Sequence, residues 1–502
     1  MNAPTPGSLA ALLNFLPSTA QRASQAEAFA NPDRMAVLAT LHGLAARSAR
    51  EAVVVELGCG DGTNLLSLAA LYPAARFVGL DGSRDAIVRA RGDATRLGLI
   101  NACFHPAAGP AAPDLVRDAA ALELDSIDYL IALDVCSHLG RDAREAFFAT
   151  LRGLLGPGGT AVLGFDTLPG ATDFEPLRML MRFHVKNVVD PAQAVRQARS
   201  ILAWHIDRIF RLHGEGRVSV LRPLVAEVER MPDAQLLELL REEHYAPLSL
   251  AQFSSELEAV GLRWLTNARL DEARSSALPE PLREFARSGD AVRRQQYLDY
   301  FLMTRRRTSL VCRADEPITR EASPEAFLAF SIAGRVARRH ILAADAADGP
   351  LVVTSSIGET TLSEAATRLL RLLSEHVPAA VPVPDLLARA ELARVPALIA
   401  IAELWRADVI ELTLAPPTVA HSPPAFPRTG PLQQLRAAAL LAESTAAGDG
   451  TVSLPSLWHR AWPLEGAELA ALALLDGSIA REHFDPEVLR KLVHKAFILT
   501  ET

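Results

Sequence analysis

The segment Glu56-Leu57-Gly58-Cys59-Gly60-Asp61-Gly62 closes the apolar run Ala52-Val53-Val54-Val55 and leads into a second apolar stretch, Asn64 to Leu71. A β-branched run that enters alternating glycines and leaves as a helix-forming segment predicts strand, tight turn and helix. Only glycine lets the backbone approach a ligand closely at such a turn. This is the nucleotide corner of a doubly wound α/β sheet, and it constrains the fold class more than any other stretch of the chain.

Charge decides which nucleotide fits. A pyrophosphate-binding turn spaces its glycines G-x-G-x-x-G at a helix N-terminus, whereas here the pattern is E-x-G-x-G-x-G, with Glu56 before the turn and Asp61 inside it. Two carboxylates repel a pyrophosphate and attract the sulfonium and ammonium of S-adenosylmethionine. Arg76-Phe77-Val78-Gly79-Leu80-Asp81 reads as a second strand ending in an acid about 20 residues past the loop, where a carboxylate reaches ribose hydroxyls. A purely structural turn explains the glycines but not the acids. The expected cofactor-binding residues are Glu56, Gly58, Cys59, Gly60, Asp61, Asn64, Asp81, Gly82, Ser83 and Asp134.

With 502 residues, 49% of them hydrophobic and 22% charged, the chain is expected to form two to four domains with real cores. No apolar run is long enough to span a bilayer. The short apolar patch Leu9 to Leu16 has no basic residue before it, the first being Arg22, so no secretory signal is expected. Cys59, Cys103, Cys136 and Cys312 lie far apart, which fits free thiols in the cytoplasm and no zinc or other metal site. A net charge of −8 gives no general affinity for nucleic acid. Lysine occurs only at 186, 491 and 495, which an alanine- and arginine-rich composition explains without reference to function.

Beyond Asp81 the chain continues to alternate. A helix is expected over Asp85 to Leu97, a third strand over Asn101 to His105 and a fourth over Ser126 to Asp134. The amphipathic stretch Arg144 to Leu155 is expected to break at Gly156-Pro157-Gly158-Gly159, with a fifth strand over Thr160 to Phe165. Ser249 to Val260, Leu262 to Leu265 and Arg307 to Cys312 supply the last helix and two terminal strands, separated from the core by helical insertions at Thr172 to Pro247 and Asp271 to Thr304. His184, in the first insertion, reads as a buried helix-packing residue. After Ala314, helices over Ser363 to His376, Val383 to Leu392 and Pro396 to Arg406, then a strand over Val409 to Leu414, suggest a winged helix. Its third helix is too apolar to read DNA. A proline-rich crossing (Pro416 to Pro431) leads to a last helical module. The expected divisions are 1–48, 49–170, 171–248, 249–313, 314–415 and 416–502.

The order of parts from 50 to 170, with Leu-Gly-Pro-Gly-Gly before the fifth strand, resembles class I methyltransferases with their Rossmann-like sheet. Further stretches resemble bacterial methyltransferases with a methyltransferase regulatory domain, a family that includes lysine methyltransferases acting on outer-membrane proteins. These are Asn31-Pro32-Asp33-Arg34, Asp166-Thr167-Leu168-Pro169-Gly170, Asp190-Pro191, Val195-Arg196-Gln197-Ala198-Arg199, Gln296-Tyr297-Leu298-Asp299-Tyr300, Pro427 to Leu432 and Leu475-Asp476-Gly477. Where the family often shows V-Y-S-W this chain has Val135-Cys136-Ser137-His138, and Ala171 stands where a tryptophan often follows the turn. The resemblance implies a protein substrate with lysine as acceptor, and makes a homodimer plausible.

Methyl transfer to an amine whose ordinary pKa is about 10.4 needs a proton acceptor. Asp166 and His138, at the carboxyl ends of the fifth and fourth strands, are the candidate catalytic residues. Asp166 as a helix cap and His138 as a surface histidine are the competing readings. The same loop also fits a small-molecule methyltransferase or a cofactor-binding scaffold with little activity.

Overall fold

The computed structural model describes residues 26–106, 126–133, 135–241, 244–269, 281–282, 284, 289–335, 351–355, 358–444 and 452–500. Helix α1 (Pro32–Leu41) is started by Pro32, whose missing N–H costs nothing there, and by the Asn31 side chain, which accepts from the Asp33 N–H. It leads to β1 (Val53–Leu57), α2 (Thr63–Leu71), β2 (Arg76–Asp81), α3 (Arg84–Arg96), β3 (Ala102–Pro106), β4 (Ile127–Ala132), α4 (Arg141–Leu154) and β5 (Leu155–Asp166). These strands pair in parallel in the order β3-β2-β1-β4-β5. Helices cover both faces, which is why the central strands read as unbroken apolar runs. On one face Leu65, Leu66, Leu68, Ile87 and Ala90 pack on Val54, Phe77 and Tyr129. On the other, Phe147, Phe148 and Leu151 meet Val55, Leu130 and Phe165.

The fifth strand begins five residues earlier than expected, because the glycines thought to break the chain are part of it. Gly158 has φ +70, and a Cβ there would run into the Ala45 carbonyl, so glycine lets the strand lie against the segment leading into β1. Four helices follow β5 as an insertion with its own core: α5 (Glu175–Val185), α6 (Pro191–His213), α7 (Glu215–Arg230) and α8 (Asp233–Arg241). His184 is exposed, contrary to expectation; α5 turns Leu177, Met181 and Val185 inward instead. Then α9 (Leu250–Ala259), β6 (Leu262–Asn267), α10 (Ala291–Leu302) and β7 (Arg306–Arg313) complete the sheet, with β7 antiparallel between β5 and β6. The expected second insertion is described only from residue 281 on, in part.

A third unit contains β8 (Ser331–Gly334), the hairpin β9 (Val352–Ser355) and β10 (Gly358–Thr361), α11 (Glu364–Ser374), β11 (Val381–Pro382), α12 (Val383–Ala390), α13 (Arg394–Arg406) and β12 (Ile410–Thr413). The three helices and the closing strand fall where the sequence places them. The sheet is built around β8, however, which lies upstream of all three helices and was not anticipated. Helix α13 buries Leu398, Ile401 and Leu404, in keeping with core packing.

The last unit is α14 (Pro431–Ser444), the hairpin β13 (Val452–Pro455) and β14 (Ala461–Leu464), α15 (Gly466–Leu474) and α16 (Pro486–His494). The units are joined by polar contacts. Asp33 of α1 accepts from Thr413 Oγ1 at 2.6 Å and from the Leu414 N–H at 3.0 Å, and Arg34 pairs with Glu411 of β12 at 2.7 Å. Arg335 closes the same cluster against Asp408 and Glu411. No helix among the described residues is long and apolar enough to cross a membrane, and no group of side chains there could hold a metal.

Candidate cofactor-binding site

The parallel pairing brings the carboxyl ends of β1, β2, β4 and β5 to one edge of the sheet, the edge where open α/β sheets bind ligands. The glycine loop is fastened there by the Gly58 and Cys59 N–H groups, which donate to Leu80 O at 2.7 and 3.1 Å. Gly58 has φ +81, and a Cβ on it would meet nothing within 4 Å, so the loop faces open space at that point. Gly62 (φ +76) serves packing: a Cβ there would lie 2.7 Å from the Phe104 ring and 3.0 Å from Ala90. Gly60 also has positive φ, at 55°.

Glu56, at the end of β1, is buried, and among the described residues no basic side chain pairs with it. Burial pushes its pKa up to about 8, against the lowering effect of Asn64, whose Nδ2 donates to Glu56 Oε2 at 3.1 Å. Asp81 is held by two backbone donors, the Gly60 N–H at 2.8 Å on one oxygen and the Ser83 N–H at 2.7 Å on the other. Each oxygen retains a second lone pair. Burial raises the Asp81 pKa as well. Ser83 caps α3 through the Ala86 N–H, and Gly82 is buried between it and Asp81.

Asp61 is turned elsewhere. Its Oδ1 accepts from the Thr63 N–H and hydroxyl at 3.2 and 2.8 Å, and its Oδ2 lies 3.8 Å from Arg436 of α14. The Cys59 thiol is sunk in the core, where burial drives its pKa well up. Asp134 lies outside the described residues.

At the rim, Ser137 links three segments. Its hydroxyl accepts from the Asp166 N–H at 2.8 Å, and its carbonyl accepts from the Ala246 N–H at 2.8 Å. Leu248 in turn donates its N–H to Asp166 O. Asp166 and the Ser137-His138 turn are thereby brought together, with Tyr245 beside them: its ring is 6.2 Å from that of His138, and the Arg178 guanidinium lies 4.6 Å over its face.

Sequence reasoning missed Tyr245, Arg436 and His459. His459, in the turn between β13 and β14, places Nε2 2.7 Å from Asn64 Oδ1 and Nδ1 3.2 Å from Ser67 Oγ, fully buried. Its lone signal in the sequence is a histidine between Trp458 and Arg460 in a short polar turn.

A nearly buried acid without a cationic partner among the described residues, beside backbone open to close approach, suits a cationic nucleoside. The seven-stranded sheet has the Rossmann-like fold of class I methyltransferases. A family model of a methyltransferase domain matches residues 55–161, and one of a predicted methyltransferase regulatory domain matches residues 237–313, so the chain carries both. S-adenosylmethionine is accordingly the cofactor of the first. Among solved structures, PKMT2 from Rickettsia typhi superposes with a TM-score of 0.74 at 17% identity, over 95% of this chain and 100% of that one. PKMT2 in complex with AdoHcy gives 0.73 at 18% identity, over 96% of this chain and 93% of that one. Uncharacterized protein RP789 of Rickettsia prowazekii (strain Madrid E) is 28% identical over 307 residues, 61% of this chain and 54% of its own length, so the chain spans about half of that relative.

Proposed function

We propose that the protein transfers a methyl group from S-adenosylmethionine to a protein side chain, the acceptor being a lysine amine. The observation that carries this reading is the buried Glu56, which pairs with no basic side chain among the described residues, beside the open face of Gly58. Glu56 would receive the ammonium of the methionine portion, Asp81 the ribose hydroxyls, and Gly58 the close approach of the ligand. The cofactor supplies a methyl carbon already activated by the sulfonium, so the protein's task is alignment and exclusion of water. Asp166 or His138 would take the proton of the incoming amine. Tyr245 places one aromatic ring at this rim, beside His138 and with the Arg178 guanidinium over its face.

The same reading keeps the division 49–170 for the cofactor core, 171–248 for the helical insertion, 249–313 for the end of the sheet, and 314–415 and 416–502 for the two following units. Met179, Phe183, Trp204 and Leu212 on α5 and α6 are exposed, which supports pairing of two copies through the insertion.

The test is incubation of the protein with methyl-labelled cofactor and an extract of its host, followed by mass spectrometry of the labelled product. Label on protein lysines is expected. Label confined to a solvent-extractable compound, or binding without any transfer, overturns the reading.

A further inference from the structure

The C-terminal hairpin reaches the cofactor loop directly. Asn64 stands on the first turn of α2, behind Glu56. Its Oδ1 accepts from the Glu27 N–H at 3.3 Å, and its Nδ2 faces Glu56 Oε2 at 3.1 Å, which settles the orientation of the amide. His459 Nε2, 2.7 Å from that same Oδ1, must then be the protonated nitrogen, leaving Nδ1 to accept from the Ser67 hydroxyl at 3.2 Å. Asn64, Ser67 and His459 are all buried. The imidazole is neutral, because burial presses its pKa down to about 3. Two donors, the Glu27 N–H and the buried His459 Nε2–H, therefore pin one end of the Asn64 amide, and its other end pins the carboxylate.

We infer that His459 is a positioning residue for the cofactor: through Asn64 it fixes the Glu56 carboxylate that receives the ligand's α-ammonium, so the C-terminal unit completes the methionine half of the site. This rests on the function proposed above, and it assigns to the hairpin a part in ligand binding as well as packing.

The hairpin turn is built to hold that imidazole. The Ser456 N–H donates to Arg460 O and the His459 N–H to Ser456 O, both at 2.9 Å, and His459 adopts φ +54. The Leu457 N–H is anchored on Ala496 O, and Trp458 Nε1 on Pro378 O at 2.9 Å. From the same unit Arg436 meets Asp93 at 2.9 Å and the Thr63 hydroxyl at 3.2 Å, steadying the neighbouring turn of the loop.

The experiment is calorimetric binding to the full-length protein of two ligands: AdoHcy, which carries the amino-acid portion, and 5′-methylthioadenosine, which lacks it. His459→Gln places an amide N–H near the position of Nε2 and keeps the bond to Asn64. His459→Asn reaches only as far as Nδ1 and keeps the bond to Ser67. We expect His459→Ala and His459→Asn to weaken AdoHcy at least tenfold and methylthioadenosine less than twofold, with His459→Gln recovering most of the loss. Glu56→Gln should show the same selective loss, and combining it with His459→Ala should add little. Should the alanine variant fail to fold, the asparagine and glutamine pair carries the test. Parallel loss of both ligands, equal behaviour of the two conservative variants, or unchanged binding overturns the inference. Failure of the wild-type protein to bind AdoHcy overturns the proposed function instead.

Discussion

Arg307 of β7 and Asp299 of α10 form an ion pair sealed from solvent, with Nε 3.0 and 2.8 Å from the two carboxylate oxygens. The guanidinium is completed by Asn267 Oδ1 at 2.7 Å and Gln295 O at 3.0 Å. Each of the three guanidinium nitrogens thus has an acceptor within one cluster, and α10 is fixed to the antiparallel edge of the sheet. Removing one partner strands the other charge in the core. Asp299→Ala is expected to destabilise the protein by about 3–5 kcal/mol, read as a lowered unfolding midpoint, whereas the exposed neighbour Tyr300→Ala should change it little.

Glu56 sets stability against binding. Its folded-state pKa, about 8, lies above the ordinary 4.5. The stability associated with its neutral form is therefore fully present below about pH 4.5 and lost as the pH rises through about 8. Glu56→Gln should raise the melting temperature of the ligand-free protein at pH 9 by several degrees and leave it nearly unchanged at pH 4. The same substitution should cost at least tenfold in AdoHcy affinity. In the wild-type protein, binding a cationic ligand below pH 8 should release a proton, visible as a dependence of the calorimetric heat on the buffer.

The two outer glycines of the loop should fail differently. Gly58→Ala has room for its Cβ and faces only the left-handed backbone, costing about 1–2 kcal/mol, so the variant should fold and lose cofactor binding. Gly62→Ala drives a methyl against Phe104 and Ala90, so thermal stability should fall before binding can be measured. A thermal melt and an AdoHcy titration of each variant check the contrast.

At the rim, Asp166→Asn and His138→Ala separate the proton acceptors. Loss of the true acceptor should reduce kcat by about 10²–10⁴ with AdoHcy affinity unchanged. If both retain wild-type rates, neither residue is the acceptor.

The glycine loop and the parallel strands were legible because their constraints are local. Val53, Val54, Val55 and Leu57 must be apolar to lie between two helical layers, and Gly62 must be glycine to admit Phe104. The start of β5 was hidden because its glycines read as a turn yet serve close packing, Gly158 against the Ala45 backbone and Gly159 against the Ile127 and Asp128 carbonyls. Strand β8 pairs with partners on both sides that lie far along the chain, so no periodicity announced it. His459 escaped for the same cause: it meets Asn64 across 395 residues, and nothing near it in the sequence marks the encounter.

The turn from Ser456 to Arg460 touches the cofactor helix, the middle unit at Pro378 and, through Arg460, the carboxylate of Glu411 at 3.8 Å. A protein cut before it would retain every glycine of the binding loop yet leave Asn64 and Ser67 uncovered. The catalytic half is therefore not a portable cassette: grafting or truncating it at the end of its sheet would separate a ligand pocket from one of its own walls.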